Sequence, residues 1–254
     1  MSNITIYTVS HKKVDVDIPA AYKIIAVGNY PLNEDVIYDS TQDNIASKNS
    51  SFCELTALYW VWKNDKSDIA GLVHYRRFFT NKINVSPKIR ILNRKSIAKI
   101  LTNNDIIIPR VVKLKKDKKL ITIKNHYANA HYIKDLEMTR DVIEELSPQY
   151  VKTFDKVMDE TSMFMFNMFI AKKSVLDSYS SWLFPILFEL EKRIYTANYD
   201  AYQKRVIGFI AERLFNVWII HHSELKVKHY PFINTDEGVF KQNITNTIKL
   251  YRKK

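Results

Sequence analysis

Residues 68–79 read Asp68-Ile69-Ala70-Gly71-Leu72-Val73-His74-Tyr75-Arg76-Arg77-Phe78-Phe79. The apolar run ends abruptly in a histidine, a tyrosine and two adjacent arginines, which predicts a buried strand with polar groups at its carboxyl end. In an open α/β sheet, ligands bind in the crevice beyond the carboxyl ends of the strands. Paired guanidinium groups suit a phosphate-bearing ligand there, because each offers a planar fork of donors. A sugar-nucleotide diphosphate is therefore the natural candidate.

Length and composition indicate one compact, helix-rich domain. The chain has 254 residues, 46% of them hydrophobic, with only 4 glycines and 7 prolines. The single cysteine, Cys53, excludes an intramolecular disulfide and fits a reducing compartment. The amino terminus lacks a secretory pattern, and no stretch approaches the roughly 18 apolar residues of a membrane-spanning helix. We therefore expect a cytoplasmic protein, with peripheral contact to the inner face of the membrane as an alternative.

The net charge of +12 favours anionic partners, namely nucleic acid, anionic lipid headgroups or nucleotide diphosphates. The densest basic run, residues 113–119, is interpreted as a solvated surface loop. A second basic cluster closes the chain at residues 251–254, where it could touch a membrane surface.

The alternation of apolar runs and helical periodicities predicts an α/β fold with helices on both faces of a sheet. Strands are expected at 4–10, 22–27, 105–109 and 225–233, besides the one ending at His74, and another is expected around Asn167. Helices are expected at 52–63, 96–101, 135–146, 149–158, 174–193 and 200–221. Asp200 and Gln203 have capping-box spacing at the start of the last helix. Residues 1–240 are predicted to form a single domain with a helical carboxyl-terminal half, followed by a basic tail at 241–254.

Common chemical motifs are missing from the sequence. It contains no Walker loop, dinucleotide-binding glycine fingerprint, zinc-ligand spacing or serine elbow. Chemistry is instead expected from polar groups at strand ends. These are Thr8, Ser10 and His11 after the first strand, residues 74–77 after a central one, and Asn167 within a later one.

Several longer motifs follow one another in a fixed order. They are Asp43-Asn44-Ile45, Lys48-Asn49, Cys53-Glu54-Leu55-Thr56-Ala57-Leu58-Tyr59-Trp60, residues 71–78, Phe166-Asn167-Met168-Phe169-Ile170, residues 187–193, residues 200–205 and residues 208–214. In this order they resemble a bacterial capsular and exopolysaccharide glycosyltransferase family, some of whose members are galactofuranosyltransferases. The resemblance covers nearly the whole chain. It implies a GT-A-like fold, which is a Rossmann-like mixed sheet flanked by helices, and a hexosyl transfer from a UDP-sugar to a glycan or lipid-linked acceptor.

One departure from the wider GT-A pattern bears on the chemistry. GT-A enzymes commonly place an Asp-x-Asp element at the end of a central strand, where it holds Mn²⁺ or Mg²⁺ against the diphosphate. This chain has His74-Tyr75-Arg76-Arg77 at the comparable point. We expect the arginines to replace the metal, so that no metal ligand and no cofactor is assigned, while use of Mn²⁺ or Mg²⁺ stays open.

The resemblance and the strand ends together assign candidate site residues. An inverting transfer needs a carboxylate to remove the acceptor hydroxyl proton, and Asp200 and Glu212 are the candidate bases. Glu54 is expected to cap its helix or to interact with the helix dipole. The candidate donor-binding residues are Thr8, Ser10, His11, Asp43, Lys48, His74, Tyr75, Arg76 and Arg77, and the candidate acceptor-binding residues are Asn167, His131 and Tyr132.

Structural alternatives stay open for these residues. One arginine of the pair could form a structural salt bridge, and His74 could be a core residue. Asp43 and Lys48 could cap the following helix, Asp200 its own helix, and Glu212 could be a simple ion-pair partner. The rival function is a non-catalytic basic module that binds nucleic acid. No nucleic-acid fold signature appears in the sequence, so a nucleic-acid partner is not expected.

Overall fold

The computed structural model describes residues 2–31, 35–80 and 90–237. Its strands are β1 (Ile4–Ser10), β2 (Tyr22–Ala26), β3 (Ile37–Tyr38), β4 (Ile69–His74), β5 (Arg77–Phe79), β6 (Ile106–Pro109), β7 (Val112–Lys113), β8 (Lys115–Lys116), β9 (Lys119–Leu120), β10 (Ser162–Met163), β11 (Phe169–Lys172), β12 (Val227–Tyr230) and β13 (Phe232–Asn234). Its helices are α1 (Asn49–Phe52), α2 (Leu55–Asn64), α3 (Arg94–Leu101), α4 (Ile123–Ala128), α5 (Ile133–Leu146), α6 (Val151–Asp159), α7 (Lys173–Arg193) and α8 (Val206–His221). The predicted tail at 241–254 lies outside the described residues.

One mixed sheet organises the described chain. Its strands follow the order β12-β6-β11-β4-β1-β2-β3, while β5 and β13 pair with each other beyond the end of β4. Strands β1, β2, β3 and β4 are parallel, and β11 is antiparallel to both of its neighbours, β4 and β6. Strand β6 therefore runs in the direction of β4, and β12 is parallel to β6. The carboxyl ends of β1, β4 and β6 thus lie at one edge, which we call the carboxyl edge, together with the amino end of β11.

Both faces of the sheet are buried. Tyr7, Val9 and Leu72 belong to a large core that also contains side chains of α2, α5, α6, α7 and α8. On the opposite face, Ile6 and Val73 belong to a smaller core formed with α3. Alternate residues of each strand thus enter different cores, which explains why the strands read as continuous apolar runs. The predicted α/β architecture, with a mixed sheet flanked by helices, is confirmed.

Glycine is required at the point where β4 and β11 pair. A Cβ atom on Gly71 would lie 2.7 Å from the carbonyl oxygen of Phe169 and 2.9 Å from the Cα atom of Ile170. Both distances are shorter than a carbon atom tolerates, and both neighbours are backbone atoms that cannot rotate away. Gly71 therefore allows the close strand pairing that brings the end of β4 next to the start of β11.

The helix predicted at 52–63 is interrupted, so that prediction is wrong at its start. Helix α1 ends at Phe52, Cys53 adopts a φ of +52°, and α2 begins at Leu55. The side-chain amide of Asn49 holds the interruption by donating to the Cys53 carbonyl at 2.9 Å and to the Thr56 hydroxyl at 3.1 Å. Apolar spacing continues across the break, so periodicity alone does not reveal it.

Three other predicted elements change their boundaries. The last helix begins at Val206 instead of residue 200, and the Asp200 carboxylate accepts from the amide of Gln203, the first residue of the 3₁₀ turn Gln203–Arg205 that precedes the helix. Strand β11 begins at Phe169, so Asn167 lies in the preceding loop and not within a strand. The strand expected at 225–233 divides into β12 and β13 on either side of Pro231, because proline lacks the backbone donor that a continuous strand needs.

The basic run at 113–119 is a hairpin and not an irregular loop. Strands β8 and β9 pair in antiparallel fashion across the two residues Asp117 and Lys118, whose φ angles are 50° and 66°. Positive φ at both central residues is typical of a tight hairpin turn whose twist matches that of the strands. Over the described residues, no helix combines the length and apolarity that crossing a bilayer requires.

Candidate functional site

The polar residues predicted at strand ends meet at the carboxyl edge. His11 follows β1, and its ring packs edge-on against Tyr75, which follows β4, with 5.1 Å between the ring centroids. The Lys12 amine lies 4.9 Å from the Tyr75 ring centroid, and the Arg76 guanidinium carbon lies 5.5 Å from it. The structure therefore brings the loops after β1 and β4 together and places three cationic or titratable groups around one tyrosine.

The two adjacent arginines have different environments. Arg76 donates to Asp236 at 2.9 Å in a partly exposed ion pair, which contributes at most about 1 kcal/mol to stability. Arg77 has no ion-pair partner among the described residues, and its guanidinium carbon lies 4.0 Å from the Phe166 ring centroid. Burial and the charge of Arg76 lower the pKa of Arg77, although a guanidinium stays charged at neutral pH. Arg77 is thus a partly desolvated cation that interacts electrostatically with Glu212 and Glu54.

Glu54 points into the same region and not along its own helix. Its side chain forms no capping bond to α2. Its carboxylate instead accepts a hydrogen bond of 2.8 Å from the side chain of Asn167, which lies 113 residues away in sequence. The expectation that the Glu54 side chain caps its helix is therefore wrong, while its interaction with the helix dipole stays a prediction, since Glu54 directly precedes α2. The Asn167 side-chain oxygen is buried without a described protein partner.

Glu212 on α8 is a mostly buried carboxylate with 19% of its side chain exposed. The pKa of Glu212 is raised to about 7, because burial and the charge of Glu54 outweigh the opposing charges of Arg213, Arg77 and Arg205. The nearest cation is Arg213, 3.3 Å away. A carboxylate with a pKa near neutral pH suits proton transfer, because both of its protonation states are accessible at working pH.

Arg205, at the start of α8, was not among the candidate residues. Its Nε donates to Cys53 Sγ at 3.2 Å, across 152 residues of sequence. Burial raises the pKa of Cys53 to about 11, and Glu54 adds to this effect, so the thiol is protonated at neutral pH. Cys53 is therefore an acceptor that positions Arg205, not an activated nucleophile. We call Glu54, Arg77, Arg205 and Glu212 the charged cluster, since these charges act on one another.

His74 lies at the end of β4 beside this cluster. Burial lowers the pKa of His74, and although Glu54 opposes this effect, Arg77 and Arg76 add to it. Its Nε2 atom is buried without a described hydrogen-bond partner. The ring also lies 6.2 Å from that of Phe166. His74 is thus a neutral imidazole with one unused polar atom at the carboxyl edge.

Aromatic rings border the charged cluster on the side of Arg205. The His131 ring stacks on Phe209 with 4.0 Å between centroids, and Tyr202 lies 5.0 Å from Phe209. Burial lowers the pKa of His131 to about 4, so the imidazole is neutral. The Arg205 guanidinium carbon lies 5.6 Å from the Phe209 ring centroid. We call His131, Tyr202 and Phe209 the aromatic platform; Tyr202 is 51% exposed.

Three other candidate residues are buried or contact neighbouring parts of the protein. Thr8 is fully buried in β1, and its hydroxyl has no described partner. The Ser10 hydroxyl donates to the backbone carbonyl of Lys12 and accepts from its amide at 3.1 Å, so it shapes the loop that carries His11. Tyr132 packs against Tyr199, with ring centroids 4.5 Å apart. Their assigned ligand contacts stay predictions.

Asp43, Lys48 and Asp200 have partners outside the charged cluster. The Asp43 carboxylate accepts from the Tyr59 hydroxyl at 3.2 Å. The Lys48 amine pairs with Glu191 of α7 at 2.7 Å. Neither side chain caps the following helix. Asp200 accepts from a backbone amide at 2.7 Å and is exposed. Their roles toward a substrate likewise stay predictions.

Within the described residues 2–31, 35–80 and 90–237, no group of three or more His, Cys, Asp or Glu side chains is arranged to hold a metal ion. Cationic groups at the carboxyl edge include Lys12, Arg76, Arg77 and Arg205. A surface cavity of about 450 Å³ lies at the opposite edge, bordered by Asn3 and Arg94, and the strand-end groups do not reach it.

The strand order, the antiparallel β11 beside β4 and the polar groups at the carboxyl edge define a GT-A-like protein. The chain belongs to the family described as domain of unknown function (DUF4422), which matches residues 5–223. It is also similar to the apo structure of the bifunctional glycosyltransferase WbbM, with a TM-score of 0.80 and 35% sequence identity over 91% of this chain and 45% of that chain. The chain thus spans less than half the length of that protein. No curated protein matches it.

Proposed function

We propose that the chain is a glycosyltransferase that moves a hexosyl unit from a UDP-sugar to a glycan or lipid-linked acceptor in surface polysaccharide biosynthesis. The observation that carries this proposal is the charged cluster, which unites two carboxylates and two arginines at the carboxyl edge of a GT-A-like sheet. The similarity to a bifunctional glycosyltransferase supports the same reaction class. Galactofuranose is the candidate sugar, on the basis of the family resemblance of the motifs.

In this proposal the arginines bind the diphosphate of the donor. Arg77 is a partly desolvated cation without an ion-pair partner among the described residues, and Arg76 precedes it in sequence. As the bond to the sugar breaks, negative charge grows on the departing UDP, and a fixed cation stabilises that charge. Loss of one such group costs about 10²–10³ in rate. The transfer is therefore proposed to proceed without a divalent metal ion.

Glu212 is the proposed general base, and the transfer is proposed to invert the anomeric configuration. The base must take a proton from the acceptor hydroxyl as that oxygen attacks the anomeric carbon. Glu212 lies within the charged cluster, and its pKa of about 7 suits this step. Asp200 is the weaker candidate, because its carboxylate is exposed and already accepts from the amide of Gln203.

The aromatic platform is the proposed acceptor site. Sugar rings present apolar C–H faces that pack against aromatic rings, while their hydroxyls need polar partners at the edge. Tyr202 is exposed beside Phe209, and Arg205 connects the platform to the charged cluster. An acceptor on this surface would place a hydroxyl near Glu212. His131, which was predicted as an acceptor residue, is part of this surface.

The proposal is tested by screening purified protein against a panel of UDP-hexoses, with hydrolysis and transfer as readouts. Turnover with one donor and an inverted product by NMR is expected. Retention of configuration would exclude Glu212 as the base of a single displacement. A thermal-shift screen addresses the rival function. Stabilisation by oligonucleotides and not by UDP or UDP-sugars would contradict the proposal and favour a nucleic-acid-binding module.

A further inference from the structure

The hairpin formed by β8 and β9 concentrates positive charge on one exposed surface. Its two-residue turn at Asp117 and Lys118 holds the strands tightly together. Asp117 is the single acidic residue between positions 110 and 124. Cationic side chains in this stretch that are exposed to solvent are Arg110, Lys113, Lys115, Lys116, Lys118, Lys119 and Lys124.

Aliphatic side chains are exposed within the same surface. Val111, Val112 and Leu120 are 51%, 40% and 50% exposed, although Leu114 between them is buried and anchors the hairpin to the large core. Exposed aliphatics beside lysines are typical of a surface that lies in a bilayer interface, where the lysines meet headgroup phosphates and the apolar groups meet the upper acyl chains. A nucleic acid backbone would bind the lysines but would leave the aliphatics exposed to water.

This surface lies on the same edge of the sheet as the candidate site. Strand β6 ends at Pro109 at the carboxyl edge, and the basic segment follows directly. The Lys116 amine donates to the Asn129 side chain at 2.6 Å. Asn129 lies two residues before His131 of the aromatic platform. His126 of α4, which follows the hairpin, lies 3.3 Å from Arg213, the neighbour of Glu212. The hairpin and the site therefore lie on the same edge of the sheet.

We propose that residues 110–120 form a docking surface for the anionic phospholipid headgroups of a bilayer. This surface consists of the hairpin and the residues that lead into it from β6. Docking would orient the carboxyl edge toward the membrane, where a lipid-linked molecule can reach it. This inference does not depend on the proposed reaction, because vesicle binding is measured without donor or acceptor.

The experiment is co-sedimentation of the full chain with vesicles of phosphatidylcholine alone or mixed with phosphatidylglycerol. Lys115→Gln combined with Lys119→Gln removes two hairpin charges, and Val111→Thr combined with Leu120→Thr removes two exposed aliphatics. The matched control is Lys95→Gln with Lys99→Gln, since both lysines are exposed on α3 and Lys95 borders the cavity at the opposite edge. All variants retain residues 241–254, so differences between them report on the hairpin.

Wild type is expected to sediment with the anionic vesicles and not with neutral ones. Each lysine near an anionic surface contributes roughly fivefold to partitioning, so the hairpin charge variant should bind roughly 25-fold more weakly. The aliphatic variant should also bind more weakly, and the α3 control should bind like wild type. The proposal would be overturned if the α3 control lost as much vesicle binding as the hairpin variants, or if wild type showed no preference for anionic lipid. It would also be overturned if the protein failed to bind vesicles but bound oligonucleotides, and the aliphatic variant bound oligonucleotides equally well. Unchanged thermal unfolding would show that each variant is folded.

Discussion

Substitution of Glu212 by glutamine separates the proposed catalytic role from a structural one. Glutamine has nearly the same shape and keeps an oxygen to accept from Arg213, 3.3 Å away in the wild type. Folding raises the pKa of Glu212 from 4.5 to about 7. At about 1.4 kcal/mol for each pKa unit, keeping this group ionised in the folded protein costs about 3 kcal/mol.

The sign of the pH effect on stability follows from the direction of that change. Because the folded-state pKa lies above the unfolded value, the stability that Glu212 contributes is fully present below about pH 4.5 and is lost as the pH rises through about 7. Glutamine is neutral at every pH. The free energy of unfolding of Glu212→Gln, relative to wild type, should therefore increase by about 3 kcal/mol between about pH 4.5 and about pH 8. Urea unfolding across this range measures the difference.

The activity of the wild type should rise with pH, whereas the stability that Glu212 contributes falls. A general base is needed in its ionised form, so wild-type turnover should rise with pH through about 7. Above about pH 7, Glu212→Gln should reduce turnover by about 10²–10⁴-fold, and the difference from wild type should shrink as the pH falls below about 7. The control is Asp200→Ala, which removes the cap on Gln203, costs about 1 kcal/mol of stability and leaves most activity. A stability difference that does not vary with pH, or a Glu212→Gln protein with full turnover, would refute the reasoning.

Three further predictions concern the fold, the acceptor site and the metal. Gly71→Ala should lower the free energy of unfolding by about 1–3 kcal/mol, because its Cβ would lie 2.7 Å from the Phe169 carbonyl oxygen. Urea titrations measure this change, and stability equal to wild type would contradict the close pairing of β4 and β11. Tyr202→Ala should raise the acceptor KM roughly 3- to 10-fold with little change in the donor KM, whereas Tyr202→Phe should retain the wild-type value. Turnover should persist in EDTA, and loss of activity that Mn²⁺ restores would contradict the assignment of the arginines.

Local patterns in the sequence predicted strands β1, β2, β4 and β6 and the polar residues that follow β1 and β4. Strand β4 is an apolar run that ends in His74. Its neighbouring strands are also continuous apolar runs, because both faces of the sheet are buried. Parallel strands end at one edge, so the meeting of the loops that carry His11 and Tyr75 follows from topology.

The remaining parts of the site depend on contacts that no local pattern encodes. Cys53 adopts a positive φ beside the hydrogen bond from Asn49, and the carboxylate of the next residue, Glu54, accepts from Asn167. Arg205 contacts this region through its hydrogen bond to Cys53, which lies 152 residues away in sequence. The burial of Glu212, which sets its pKa, also results from tertiary packing around α8.

The most direct measurement is a calorimetric titration of UDP in EDTA into wild type and into Arg76→Gln combined with Arg77→Gln. Arg94→Gln serves as the control, since Arg94 borders the cavity at the opposite edge. The account predicts that wild type and the control bind UDP without a metal ion and that the double variant binds at least about tenfold more weakly, because two charge-assisted contacts to phosphate are lost. Binding that requires Mn²⁺, or equal affinity in the double variant, would contradict it.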